Sequence, residues 1–285
     1  MLNTLRRLLG RDAAQGRRPV EVIARPGQAS LGGDDRVVDF RCNICGTRGS
    51  LPYAKFGREQ WSCQGCKSTS RMRGIVHLVT MGLLGTDAPL SEIEPRKDLV
   101  GLGMSDWQGY AKRLAEKFDY LNTFYDHEPQ MDITDPPPER FGTCDFIIST
   151  DVFEHVCTPV SRGFEGVRKL LKPGGLFVFS VPYNLEGATV EHFPEMHEFD
   201  IVDGANGKTL INRTKDGREQ RFEGLVFHGG EGATLEMRVF SKQGVIDELT
   251  RAGFVDIEFF EGAHEASGVI FQEGWSRPLL ARAPK

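Results

Sequence analysis

From residue 98 onward, short unbroken apolar runs alternate with stretches whose apolar positions recur at helical spacing. Residues 98–103 read as a strand ending in glycines, 107–118 as a helix and 120–125 as a strand. Residues 145–149 form another apolar run. Residues 160–171 predict an amphipathic helix closed by Lys172, Pro173, Gly174 and Gly175, and 176–181 a further strand. Near the end, 242–252 predicts a helix stopped at Gly253, with strands at 254–260 and 278–283. Pro136, Pro137 and Pro138 cannot continue a helix and mark a loop. Apolar strands separated by helices predict an α/β fold, a parallel sheet covered on both faces, with its ligand crevice beyond the C-terminal ends of the strands. Function is therefore sought in the loops after Gly101, Leu121, Ile133 and Ile148.

The chain ahead of this pattern is organised by cysteine. Cys42 and Cys45 form one C-x2-C pair, Cys63 and Cys66 a second, and 17 residues separate them, the spacing of a zinc ribbon. Two such turns, helped by Gly46 and Gly65, can aim four thiolates at one tetrahedral ion. With four protein ligands and no open position, the expected zinc is structural, stapling a segment too short to build its own core. Two disulfides or a redox pair are the competing readings; a reducing compartment disfavours the first, and the second needs no duplicate. Cys144 and Cys157 read as small buried hydrophobes. Residues 75–79 suggest a helix joining the ribbon to the body, with His77 on its surface or in its core. The expected organisation is a flexible basic tail at 1–35, a ribbon at 36–74 and a body at 75–285.

Composition adds a charge asymmetry. The net charge of −5 conceals 14 Lys and Arg against 6 Asp and Glu in residues 1–74, a balance of +8, which leaves −13 on the remainder. A basic arm before an acidic body suits an anionic partner such as RNA, although arginine-rich termini are commonly just solvated. The 39% hydrophobic and 26% charged content excludes a mostly disordered chain. No apolar run reaches the roughly 18 residues of a membrane helix, and the N-terminus lacks a secretory apolar stretch, so a cytoplasmic location is expected.

GLGMS at 101–105, MDITD at 131–135, CDFIISTDVFEHV at 144–156 and LLKPGGLFVFSVP at 170–182 together resemble the class I S-adenosylmethionine-dependent methyltransferases, of the type 11 kind. AGFVDIEFF and PLLARAPK are similar to the strand pair that ends that fold, its last strand antiparallel to its neighbours. The resemblance covers roughly residues 97–283 and rests most on FIISTDVFEHV followed by LLKPGG, since a glycine loop alone is weak. It implies a Rossmann-like seven-stranded sheet with S-adenosylmethionine as cofactor. A ribbon ahead of such a domain resembles a bacterial subgroup thought to methylate glycans or other small acceptors.

On that resemblance, Gly101 and Gly103 let the backbone approach the cofactor, and the helix after Ser105 offers free N–H groups to its carboxylate. Asp132, with Ile133, lies toward the adenine; Ser149 and Thr150 lie toward the methionine. The glycines could instead merely form a tight turn. Two positions depart from the family pattern. Ser105 and Asp106 occupy the later loop positions, and the second strand offers Asn122 where an acid usually holds both ribose hydroxyls, with Asp126 farther on.

Between Tyr183 and Val239 lies an insertion, taken as 184–238, in the position that caps the active site of this fold. Methyl transfer to a hydroxyl needs positioning and a base, and His155, His192, His197 and His228 are the candidates. A structural hydrogen bond is the plainer role for any one of them. A metal site from His192, His197 and nearby Glu residues matches no standard ligand spacing. The expected reaction is O-methylation of a sugar, glycan or other small hydroxylated acceptor. The alternatives are an RNA base methyltransferase using the basic ribbon, a nicotinamide oxidoreductase, and a non-catalytic zinc adaptor.

Overall fold

Six stretches of alternating or continuous apolar sequence pair into one sheet in the computed structural model, which describes residues 20–21, 35–204, 207–228 and 234–285. The strands are β1 (Arg96–Met104), β2 (Phe118–Thr123), β3 (Cys144–Thr150), β4 (Leu171–Ser180), β5 (Val255–Phe259) and β6 (Leu279–Arg282). Their spatial order is β5-β6-β4-β3-β1-β2. β1 runs parallel to β2 and β3, and β3 parallel to β4, while β6 is antiparallel to both β4 and β5. The mixed α/β sheet and the reversed last strand are as expected.

Six strands replace the expected seven among the described residues. The chain after β2 makes a single bridge between Phe124 and Gln130 and then turns, its buried Met131 and Ile133 holding it to the core. Pro129 and the run Pro136 to Pro138 bring four residues without an N–H into this stretch, so it cannot sustain a ladder.

Helices cover both faces. Ile148, Leu176 and Val178 share one apolar cluster with α1 (Ser70–Leu84) and α2 (Gln108–Lys117). Ile147, Phe177 and Phe179, the alternate positions, share the other with α3 (Ser161–Leu170) and α4 (Lys242–Arg251). The helix ends are fixed locally: Thr69 caps α1 through Met72 N–H, Gly85 closes it at φ 64°, and Ser241 caps α4 through Gly244 N–H. The cysteine segment, built on the hairpin Val37–Arg41 and Arg48–Pro52, has no separate core. Val38, Phe40, Ile44 and Phe56 belong to the same cluster as α1 and the sheet. Cys144 is buried as expected, whereas Cys157 is exposed, because it falls in the loop past the Phe153–His155 turn and not on a strand.

The chain divides into two compact units. One comprises residues 1–24 and 196–226; the other, 25–195 and 227–285, carries the cysteines and the sheet. The first contains Glu198–Gly204, Gly207–Arg213 and Glu219–Glu223 as an antiparallel meander, with Val20–Glu21 parallel to the last of these. The 184–238 insertion is thus split, its two ends belonging to the sheet's unit. The basic tail expected at 1–35 lies outside the described residues except for Val20, Glu21 and Asp35.

No described helix is long and apolar enough to cross a membrane.

Candidate active site

β2 and β3 flank β1 on opposite sides, so the C-terminal ends of β1 and β3 form the switch point where ligands bind in open parallel sheets. Both strands leave it through a non-glycine residue in the left-handed region, Ser105 at φ 55° and Asp151 at φ 53°. Such conformations cost energy and concentrate at functional turns.

The loop from β1 is held from within. Asn122 accepts from Asp106 N–H at 2.9 Å and donates to Asp106 C=O at 2.9 Å, so its amide acts as a second backbone for the loop. Ser105 N–H donates to Thr123 C=O, and Thr123 Oγ1 donates to Gly103 C=O. The Asp106 carboxylate is buried and accepts the hydroxyls of Tyr110 and Tyr120. The two glycines serve this packing. A Cβ on Gly103 would lie 1.9 Å from the Tyr120 hydroxyl, and one on Gly101 would lie 2.1 Å from the Phe146 ring. Asp106 and its two tyrosines escaped the sequence reading, which noted Asp106 only as a break in the glycine pattern.

Burial pushes Asp106 up to about 7, against the two hydroxyls that favour its charged form. Between the ordinary carboxylate value and about 7, the folded protein holds a proton that the unfolded chain releases. Stability should therefore fall as pH rises from 4 to 7, by at most about 4 kcal/mol from this group. Urea titrations at several pH values should show that slope, and Asp106→Asn should remove most of it.

Asp151, at the end of β3, receives Arg58 Nη2 on both oxygens at 2.7 and 2.6 Å, and Arg71 Nη1 lies 3.7 Å away. Arg58 comes from the cysteine segment and Arg71 from α1, so the ribbon's own arginines reach the switch point. Next to Asp151, Ser149 and Thr150 are buried, as is Ser180 on β4. Among the described residues, the hydroxyls of Ser149 and Ser180 have no hydrogen-bond partner. Asp132 is exposed and accepts from Thr134 N–H and Thr134 Oγ1, while Ile133 beside it is buried.

Three of the four candidate histidines meet at the turn Phe153–His155 that follows β3. His155 Nδ1 bonds Leu235 C=O at 2.8 Å, and its Nε2 faces His228 Nδ1 at 3.1 Å. His228 Nε2 lies 3.0 Å from Glu236 Oε2, and Glu236 Oε1 lies 3.2 Å from His192 Nε2. Burial lowers the pKa of His155, and its neighbour His228 lowers it further. Arg238, fully buried, donates to the carbonyls of Phe153 and Val156 and pairs with Glu191, which fixes the turn. His197 falls in the other unit, where its N–H donates to Asn212. His192 pairs with Glu236, 44 residues away; neither Glu236 nor Arg238, which lies 47 or more residues from its partners, gave a local signal.

The four thiols converge as the spacing predicts, every sulfur within 4.8 Å of the others. Cys42 and Cys66 sulfurs are 3.7 Å apart and Cys45 and Cys63 sulfurs 3.6 Å, close to the edge of about 3.8 Å that a tetrahedron of 2.3 Å bonds requires. Ser68 Oγ touches the Cys42 and Cys66 sulfurs and accepts from the buried Arg73, whose other N–H groups reach Ser62 and Gly268 C=O. Neither Arg71, paired with Glu59 and Asp151, nor Arg73 is a loose cation.

Residues 107–179 match the family model described as a methyltransferase domain. No curated protein sequence matches. Among solved structures, similarity extends to the Burkholderia thailandensis 1,6-didemethyltoxoflavin-N1-methyltransferase bound to S-adenosylhomocysteine, at 13% identity and TM-score 0.41, over 75% of this chain and 78% of that one. The CurJ carbon methyltransferase is similar at 15% identity and TM-score 0.41, over 74% and 54%. A complex of the Haloferax volcanii Trm112 methyltransferase activator with a methyltransferase gives 14% identity and TM-score 0.39, over 75% and 94%.

Proposed function

We propose that this methyltransferase domain moves a methyl group from S-adenosylmethionine to a hydroxyl of a small polar acceptor, a sugar or a molecule like it. The observation that carries this reading is the three-histidine cluster set on the turn directly after β3, beside the sheet's switch point. The partnerless hydroxyls of Ser149 and Ser180 fit a polar ligand at the strand ends. Gly101, Gly103 and Ser105 would border the cofactor on one side, Asn122, Asp132 and Ile133 toward its adenosine, and Ser149 and Thr150 toward its methionine. Bound there, the cofactor supplies a methyl carbon already activated by sulfonium.

The chain then has two tasks, holding the acceptor oxygen in line and taking its proton. His155 donates through Nδ1 to Leu235 C=O, and His228 donates through Nε2 to Glu236, so both inner nitrogens are lone pairs when the rings are neutral. A proton taken from the acceptor is shared between them. The ends of the 184–238 insertion thereby supply the acceptor side, through His192, His228 and Glu236. The cysteine site would hold a structural zinc. An RNA acceptor would need the ribbon's arginines, and Arg71 and Arg73 are spent inside the protein.

Replacing His228 by Asn should lower turnover about 10²–10⁴-fold with little change in cofactor affinity, because a general base acts on rate alone. Mass spectrometry of polar metabolites incubated with the protein and S-adenosylmethionine should reveal the methylated acceptor. Steep salt inhibition of an RNA-methylating activity would oppose the small-acceptor reading.

A further inference from the structure

The histidine cluster poses a problem that a proton solves only in part. Each outer nitrogen is committed as a donor, His155 Nδ1 to a carbonyl and His228 Nε2 to a carboxylate, which directs both inner lone pairs at one point across 3.1 Å. Glu154 Oε1 completes a triangle with them, 4.0 Å from His155 Nε2 and 3.9 Å from His228 Nδ1. The centre of a triangle with those edges is about 2.1 Å from each corner, the length of a zinc bond to imidazole or carboxylate.

We propose that His155 Nε2, His228 Nδ1 and the Glu154 carboxylate bind a divalent first-row transition-metal ion, of the zinc, cobalt or ferrous kind, at a site distinct from the four cysteines. Two histidines and a carboxylate form a ligand set that leaves coordination positions open. The surroundings match what such ligands require: each metal-binding imidazole donates its other N–H to a carbonyl or carboxylate, which fixes the tautomer. Glu236 is held in turn by His192, and Arg238 holds the turn bearing Glu154 and His155 by its carbonyls. The Glu154 and Glu236 side chains are buried, which favours a cation between them. His228 is about one-third exposed, so the ion would have a route in and a face toward solvent. Where the methyl-transfer reading holds, the two inner nitrogens would be ligands in place of bases, and an open position would take the acceptor hydroxyl and ease the loss of its proton to water.

The test is a cobalt(II) titration of the full chain already loaded with one equivalent of zinc, which the four thiolates take first. One further cobalt per chain is expected, with visible d–d absorption and no thiolate charge-transfer band. Affinity should drop at least tenfold in His155→Ala and in His228→Ala, and about 10–100-fold in Glu236→Gln. In the wild-type protein itself, two exchangeable imidazole N–H resonances should be paramagnetically shifted, which needs no variant to fold. No second cobalt, cobalt bound equally well by both histidine variants, or no shifted N–H resonance would overturn the proposal. None of these results depends on methyl transfer, which cofactor calorimetry tests separately.

Discussion

Serine at Cys63 is expected to lower the melting temperature of the whole sheet-bearing unit, by about 10 °C or more, in one transition. The physical reason is that the cysteine segment owns no core of its own. Val38, Phe40, Ile44 and Phe56 pack in the cluster that runs through Ile75, Val76 and Val79 of α1 to Phe146, Ile148, Leu176 and Val178 of the sheet. A lost ligand also leaves Arg73, buried and tied to Ser68 beside the thiolates, with less negative charge around it. Weakening a four-thiolate zinc site costs several kcal/mol, and a chain of this size shifts about 2–4 °C per kcal/mol. A chelator should act in the same direction. Calorimetry showing a separate early transition for the ribbon, with the sheet's transition unmoved, would contradict the shared core.

The second large effect is at Gly103. An added methyl there must displace the Tyr120 hydroxyl and Asp106, 1.9 and 2.4 Å away, and these are the groups that hold the β1 loop. Gly103→Ala should destabilise by about 3–5 kcal/mol, the cost of overpacking plus a broken buried hydrogen bond. Tyr120→Phe in the same chain should recover part of the loss, because it removes the oxygen that the methyl meets first. Loss of cofactor binding in Gly103→Ala with stability intact would show that this glycine serves the ligand directly and not the Tyr120–Asp106 packing.

The contrast between these residues and the histidines explains what was legible in the sequence. Strands such as Cys144–Thr150 and Leu171–Ser180 are apolar on both faces, so their pattern revealed them, and two C-x2-C pairs at ribbon spacing revealed the thiolate site. The strand expected from the family order between β2 and β3 is replaced by turns, because prolines remove its donors. The histidine cluster was visible only as four separate candidates. Its geometry comes from a carboxylate and a clamp, Glu236 and Arg238, brought beside the Phe153–His155 turn by tertiary pairing of Arg238–Ser241 with Tyr183–Asn184 and Val190–Glu191. No spacing rule encodes that. The role of Asn122 was likewise hidden: its amide can bind a ribose or a backbone, and only the loop's shape shows that Asp106 engages it.

If the switch point between β1 and β3 binds the methyl donor, titration calorimetry with S-adenosylhomocysteine on the zinc-replete chain should register it. One ligand per chain is predicted, with binding that survives His228→Asn. No binding of S-adenosylhomocysteine, together with tight binding of NADH, would contradict a methyl-donor site at the switch point.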